Sequence, residues 1–378
     1  MFASNIYLDM SIPMVDLQGQ YNNIKSEINH AIQEVLDSAA FINGPAVKRF
    51  QDHLAKYLNV KHVIPCGNGT DALQIALMAL DLKPDDEVIV PCFTYVATAE
   101  VIALLGLTPV LVDVNPDTFQ LDVEAFEKAI TPATKVVIPV HLFGQCADMD
   151  AILAVAKAHQ IFVVEDAAQS MGAQYHSNDG VTYHSGTMGH FGTTSFFPSK
   201  NLGGYGDGGA IFTNDDALAA SARMIANHGQ QKKYYHSVVG VNSRLDTIQA
   251  AILDVKLKYL DTYVAARQQV AAFYDAHLQD DKRFTVPSRD GKSTHAFHQY
   301  TLKINDLNRD EVKSYLADKG ISSMIYYPLP LNEQEAYKSL GNFPVTQDLC
   351  TRVLSLPIHT EMNQEQLNYI VETLKSIK

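Results

Sequence analysis

The sequence predicts an α/β protein, with a large unit built on a mostly parallel sheet carrying helices on both faces and a smaller C-terminal α/β unit. Three observations lead there. Short β-rich runs alternate with helical patterns through the first part of the chain. A length of 378 residues with 47% hydrophobic content is enough for one large core and a second, smaller one. The chemically distinctive residues follow the β-rich runs, where open α/β sheets carry their sites.

Taken in order, GNGTDALQIALMAL (Gly67 to Leu80) is a tight turn into an apolar-periodic helix opened by Thr70 and Asp71. Strands are expected at Glu87 to Val90, Pro109 to Val114, Lys135 to Val140 and Ile161 to Val164, alternating with helices at Ala97 to Leu105, Val123 to Ile130 and Met149 to His159. Beyond Ala210 come a strand in AIFT, a helix at Ala217 to Asn227 and one long helix at Leu245 to His277, which is long enough to bridge two units. The C-terminal unit contributes strand-like His298 to Ile304, a helix near Arg309 to Lys319, strand-like Ile321 to Tyr327 and a last helix from Gln364. The division falls at residue 253, giving a large unit over 1–253 and a small one over 254–378. No internal repeat, low-complexity tract or disordered linker interrupts the pattern.

Composition excludes several functions. The net charge is −13 and no long basic run occurs, which argues against a nucleic-acid partner and against binding an anionic membrane surface. No signal peptide and no apolar run near membrane-spanning length is seen, so the cytoplasm is the expected location. Cys66, Cys92, Cys146 and Cys350 are scattered without CxxC pairs and are expected as reduced thiols. His141, His184, His190 and His228 lack ligand spacing, so no metal site is expected.

The chemistry concentrates around Lys200, which lies in SFFPSKNLGGYGDGGA between a short apolar run and a glycine-rich loop. Upstream, Asp166 ends the strand-like IFVVED. Such a lysine can form a Schiff base, and such a carboxylate can hold a pyridinium nitrogen, the pair that pyridoxal phosphate requires. Asp166 can equally cap the helix that follows its strand, and the two uses are compatible. A phosphate needs backbone N–H groups. Gly67 and Gly69 let the chain turn sharply, and Thr70 and Asp71 open a helix whose free N–H groups favour an anion. The same residues would also serve as a plain turn and cap. Ser195 offers a hydroxyl to the same phosphate. The loop lacks the lysine of a nucleoside-triphosphate loop. Gly204, Gly206 and Gly209 spell GxGxxG but run into a strand instead of opening a helix, which disfavours dinucleotide binding.

Together Gly67 to Leu73, Pro91 to Glu100, Pro139 to Asp150, Val163 to Ala173 and Phe196 to Ala210 resemble the DegT/DnrJ/EryC1/StrS family of sugar aminotransferases, over nearly the whole chain. The resemblance implies the aspartate aminotransferase-like fold (fold type I) and homodimers with shared active sites. It implies that Lys200 is the Schiff-base lysine and Asp166 the partner of the ring nitrogen. Gln169 would sit near the ring's phenolic oxygen and Tyr95 would stack on the ring, standing where many relatives have Trp or Phe. Gly69, Thr70, Asp71 and Ser195 would meet the phosphate. In Gly240 to Leu253, Asn242 would reach the partner subunit's cofactor phosphate. Arg244 matches an arginine that binds the sugar carboxylate in members acting on nucleotide-linked 3-keto hexuronic acids; otherwise it is a helix-start arginine paired with Asp246 or Asp254. Tyr326 and Tyr327 lie in a segment resembling the substrate-side loop, and stacked core tyrosines are the other reading. Relatives with His in place of the lysine dehydrate their substrates, a variant that Lys200 disfavours.

The implied reaction is a two-half transamination from glutamate to a nucleotide keto-sugar, with Lys200 as anchor and general base. The substrate favoured by Arg244 is a UDP-linked 2-acetamido-2-deoxy-3-keto-hexuronate, serving cell-surface polysaccharide such as lipopolysaccharide O-antigen. A dTDP-linked 3-keto or 4-keto deoxyhexose is the alternative within the class. A regulator or sensor that holds the cofactor without turnover is the alternative outside it.

Overall fold

The computed structural model describes residues 11–338 and 341–377. Two helices lead in, α1 (Leu17–Ser38) and α2 (Pro45–Leu58), followed by β1 (His62–Cys66), α3 (Gly69–Met78), β2 (Glu87–Pro91), α4 (Ala97–Leu104), β3 (Thr108–Val112), α5 (Val123–Lys128), β4 (Thr134–Val137), α6 (Met149–His159) and β5 (Phe162–Asp166). A small hairpin, β6 (Gln174–His176) with β7 (Thr182–His184), precedes β8 (Phe191–Ser195), β9 (Gly209–Thr213) and α7 (Asp216–Ala226). A second hairpin pairs β10 (Gln230–Lys232) with β11 (Tyr235–His236), after which come α8 (Thr247–Leu257) and α9 (Leu260–Leu278).

The main sheet has seven strands in the order β1-β9-β8-β5-β4-β2-β3. All neighbours pair in parallel except β9, which runs against both β1 and β8. Side chains alternate across it. Ile64, Val88, Val90, Val136, Val164 and Ile211 pack with α3, α4 and α7 on one face, while Val63, Ile89, Val137, Val163 and Phe212 pack with α2, α5, α6 and α8 on the other. Burial on both faces is why these strands read as continuous apolar runs.

The small unit has a three-stranded antiparallel sheet, β12 (Phe284–Thr285), β13 (Tyr300–Ile304) and β14 (Val353–Leu356), with helices α10 (Arg309–Asp318), α11 (Pro344–Arg352) and α12 (Gln364–Lys375). Its core includes Tyr300, Leu302, Leu354, Leu356, Ile370 and Leu374, together with Ile12 from the start of the chain. Residue 253 lies inside α8. The change of core occurs along α9, where Leu260 and Val264 join the large unit's core and Val270, Ala271, Tyr274 and Leu278 join the small one's.

Two expected elements differ. The single helix at Leu245 to His277 is two helices, because the chain turns at Lys258 and Tyr259, where Tyr259 donates to Glu27 and stacks on Tyr263. The strand expected at Ile321 to Tyr327 forms only isolated bridges, from Ile321 to Ile12 and from Met324 to Ser355. Its end instead turns inward, so that Tyr327 bonds Gln169.

Candidate active site

The site lies where β1, β5 and β8 end and β9 begins. Asp166, the last residue of β5, is 7% exposed. Its Oδ2 accepts from Thr98 Oγ1 at 3.0 Å and its Oδ1 from the Ala168 N–H at 3.1 Å, so the carboxylate is fixed from two sides. Its backbone is held as well, donating to Pro139 O and accepting from the His141 N–H, both at 2.9 Å.

Gln169 follows in the turn after β5. Its Oε1 accepts from the Phe143 N–H at 2.7 Å and its Nε2 donates to Tyr327 Oη at 3.2 Å. Because the Phe143 N–H can only donate, the amide orientation is determined. Tyr95 stands at the mouth, 58% exposed, with its ring 6.3 Å from that of Tyr327. Burial pushes the Tyr327 phenol up, and Asp166, Tyr326 and Tyr95 add to the rise.

The start of α3 has the makings of an anion cradle. The N-cap of α3 is Asn68, whose side chain accepts from the Asp71 N–H at 2.8 Å. At a helix start this leaves the Gly69 and Thr70 N–H groups without an intrahelical acceptor. Strand register brings Ser195, Gly209 and Cys66 side by side. A Cβ on Gly69 would lie 2.8 Å from Ser195 Cβ, and one on Gly209 would lie 2.4 Å from the Asn68 carbonyl. Only glycine keeps these backbones so close. Asp71 lines the cradle from beneath, its carboxylate accepting from Ser243 Oγ at 2.6 Å while Ser243 Oγ accepts from the Gly67 N–H at 2.8 Å.

Lys200 enters from the loop after β8. Its N–H donates to Phe197 O at 2.9 Å, and the following Gly204 N–H donates to Phe196 O at 2.8 Å, winding the loop tightly. Lys200 is half-buried. Burial pushes the amine down to about 8, while Asp166 pulls it upward. Gly204 and Gly206 pack against Gln249 of α8, whose Oε1 accepts from the Tyr205 N–H at 2.7 Å, and Gly209 opens β9. The GxGxxG therefore does not start a helix.

Asn242 and Arg244 flank Ser243 at the rim of the cradle; Asn242 is exposed and Arg244 half-buried. Among the described residues Arg244 forms no ion pair. Asp254, one of its two expected partners, is instead held by Arg49 at 3.1 Å and His53 at 2.6 Å. Sequence reasoning missed Thr98, Asn68 and Ser243. Thr98 sits one turn after Tyr95 in a segment already singled out, and Ser243 lies between two chosen residues, so both were within reach of a search for polar side chains beside the named ones.

A model of the DegT/DnrJ/EryC1/StrS aminotransferase family matches residues 22–375. The chain belongs to that family. Among its relatives, the UDP-2-acetamido-2-deoxy-3-oxo-D-glucuronate aminotransferase of Pseudomonas aeruginosa is 48% identical over 96% of this chain and 99% of the relative. A pleiotropic regulatory protein of Geobacillus stearothermophilus is 47% identical over 97% of this chain and 98% of the relative. The crystal structure of a DegT DnrJ EryC1 StrS aminotransferase from Brucella abortus superposes with a TM-score of 0.92 at 41% identity, covering 96% of this chain and 98% of that one. The seven-stranded sheet is thus the fold type I sheet of a DegT/DnrJ/EryC1/StrS aminotransferase. Pyridoxal phosphate is the cofactor of this family, and the residues fit it. A glycine-only cradle with two open N–H groups suits the phosphate, a buried carboxylate held by two donors suits a cationic ring nitrogen, and an amine with a lowered pKa suits Schiff-base chemistry.

Proposed function

We propose that this aminotransferase moves an amino group from glutamate to a UDP-linked 2-acetamido-2-deoxy-3-keto-hexuronate, as a cytoplasmic homodimer with shared active sites, for cell-surface polysaccharide such as lipopolysaccharide O-antigen. The observation that carries the substrate choice is Arg244, which follows the cradle residue Ser243 and, among the described residues, forms no ion pair, one of its two expected partners, Asp254, being held by Arg49 and His53. Its planar fork suits a sugar carboxylate, and the 48% identical Pseudomonas relative bears the name of an aminotransferase for a keto-glucuronate.

Bound pyridoxal phosphate supplies an electron sink for the carbon that loses its proton. The chain's own residues do the rest. Gly69 and Thr70 N–H groups with Ser195 would hold the phosphate, and Asn242 of the partner subunit would complete its shell. Asp166, its aim fixed by Thr98 Oγ1 and the Ala168 N–H, would keep a proton on the ring nitrogen. Tyr95 would cover one face of the ring, and Gln169, locked by Phe143 and Tyr327, would lie by its oxygen. Lys200 anchors the cofactor and, as a neutral amine, carries the proton to and from the substrate carbon. Tyr326 and Tyr327 border the sugar. The exposed Tyr95 and Phe197 at the mouth, and Tyr234 and Tyr235 on the β10–β11 hairpin, are apolar surfaces that a second copy would cover.

A second reading is favoured by the regulatory name of the 47% identical relative. It would use the same pocket without turnover. Incubation with glutamate and a panel of UDP- and dTDP-linked keto-sugars, followed by mass spectrometry, decides between them. Repeated amination of the 3-keto hexuronate supports the proposal; a preference for a dTDP-linked deoxyhexose, or no turnover with any acceptor, overturns it.

A further inference from the structure

Glu165 is next to Asp166 on β5 but points to the other face of the sheet, where it is fully buried. Its Oε1 accepts from the Met188 and Gly189 N–H groups, both at 2.6 Å. Its Oε2 accepts from the Gly186 N–H at 3.0 Å and from His141 Nε2 at 2.8 Å. His141 is equally buried, and its Nδ1 accepts from the Ala147 N–H at 3.1 Å. A backbone N–H can only donate, so Nδ1 carries no proton and the ring proton sits on Nε2, aimed at Glu165. The ring is neutral, and the carboxylate meets four donors.

Three stretches that carry the site converge on this one group. The first is the end of β5, with Asp166 and Gln169. The second is the loop after β4, where the His141 N–H binds Asp166 O and the Phe143 N–H binds Gln169. The third is the turn at 186–189, which feeds β8 and so sets Ser195 and the Lys200 loop. That turn is packed without slack, since a Cβ on Gly192 would fall 1.8 Å from Gly186 O and one on Gly186 would fall 3.1 Å from Ala167 Cβ.

We propose that Glu165 and His141 are a positioning pair that holds Asp166 at the cofactor's ring nitrogen, an inference that rests on the function proposed above. Adjacent residues of a strand project to opposite faces, so four hydrogen bonds to Glu165 fix the roll of the strand and with it the direction of Asp166. Glu165→Gln replaces an acceptor by an N–H group facing N–H groups, which forces the end of β5 to shift. His141→Gln keeps a donor that can reach Glu165, whereas His141→Ala removes it.

The test uses full-length holoenzyme, stripped of cofactor and titrated with pyridoxal phosphate by absorbance, alongside a pH titration of the bound cofactor's visible band. Glu165→Gln is expected to lose cofactor affinity by about tenfold or more and to move the band's midpoint by about half a unit or more. His141→Gln should stay closer to wild type than His141→Ala on both readouts. Unchanged affinity and midpoint in variants that merely melt earlier would overturn the proposal and leave the pair a purely structural one. If Glu165→Gln does not fold, the His141 variants decide in the same terms. Should wild-type protein take up no pyridoxal phosphate on Lys200, the proposed function itself fails, an outcome distinct from a failure of the pair.

Discussion

Gly69→Ala tests the phosphate cradle directly. The new methyl carbon would lie 2.8 Å from Ser195 Cβ and 3.3 Å from Ser195 Cα, and both partners sit on regular elements, α3 and β8. Carbon atoms prefer about 3.5–4.0 Å, so one element must retreat by about 1 Å. Overpacking of this degree costs about 1–3 kcal/mol. The free protein can relieve it by letting the α3 terminus drift from Ser195, but on the proposed contacts a bound phosphate would need the Gly69 and Thr70 N–H groups and the Ser195 hydroxyl together. The cost therefore falls on the cofactor complex and should raise the dissociation constant for pyridoxal phosphate about five- to 150-fold. Titrating cofactor-free protein with pyridoxal phosphate and with unphosphorylated pyridoxal separates this from a general loss of fold. The phosphate ester should lose most of its advantage, while pyridoxal is little changed. Equal losses for both ligands, or none for either, would refute the cradle.

Three other outcomes follow from the same geometry. Lys200 in cofactor-free protein should react with amine reagents with a midpoint at about 8, rising with pH because the neutral amine is the reactive form; Asp166→Asn should move the rise to lower pH and slow turnover on the order of a thousandfold, as read by mass-spectrometric labelling and steady-state assay. Arg244→Ala should weaken use of the hexuronate by a few kcal/mol while sparing the glutamate half-reaction, and mixed dimers of Lys200→Ala with Arg244→Ala should regain one intact site; inactive mixtures after proven subunit exchange would exclude shared sites. Lys256 is 1% exposed, sits 5.2 Å from the centre of the Tyr205 ring, and is pushed down from 10.5 to about 8 by burial and by Arg267. The unfolded chain binds more protons between those values, so wild-type stability gains as pH rises through that window, and Lys256→Met should be more stable by about 1–3 kcal/mol at neutral pH with the gap closing near pH 10, as followed by denaturant melts.

What the sequence revealed was local chemistry. Asp166 ends a strand-like, mostly apolar run, Gly67 to Asp71 is a turn opening a helix, and Lys200 precedes a glycine-rich loop, so each could be proposed from its neighbours. β8 could not, because FGTTS carries glycine and small hydroxyl residues that hydrogen-bond in place of an apolar signal; Thr193 and Thr194 bond Glu165 O and Ala167 O. Contacts between distant segments were equally hidden. Gln169 meets Tyr327 across 158 residues and Ser243 meets Asp71 across 172, and neither end predicts the other. The turn at Lys258 and Tyr259 was invisible for a different reason, since no proline or glycine marks it and the helical pattern continues through it.

The reversed strand β9 explains how such scattered pieces become one site. Strands β1, β5 and β8 all end at the same edge of the sheet, and each leaves a loop of the candidate site there: the α3 turn, the Asp166 to Gln169 turn and the Lys200 loop. A parallel β9 would have to begin at the opposite edge, about 17 Å away for five residues, and the chain between Ser195 and Gly209 would be spent crossing the sheet, as βα crossovers are. Running antiparallel, β9 starts beside Ser195 and faces Cys66 at Gly209. The intervening loop stays at the edge, and Lys200 comes within electrostatic reach of the carboxylate on β5. Inserting Gly209 between the ends of β1 and β8 also makes its missing side chain necessary, because a Cβ would strike the Asn68 carbonyl that starts α3. Strand direction, glycine placement and the position of the lysine are thus one constraint. A substitution at Gly209 should disturb the cradle even though that residue carries no side chain to the site.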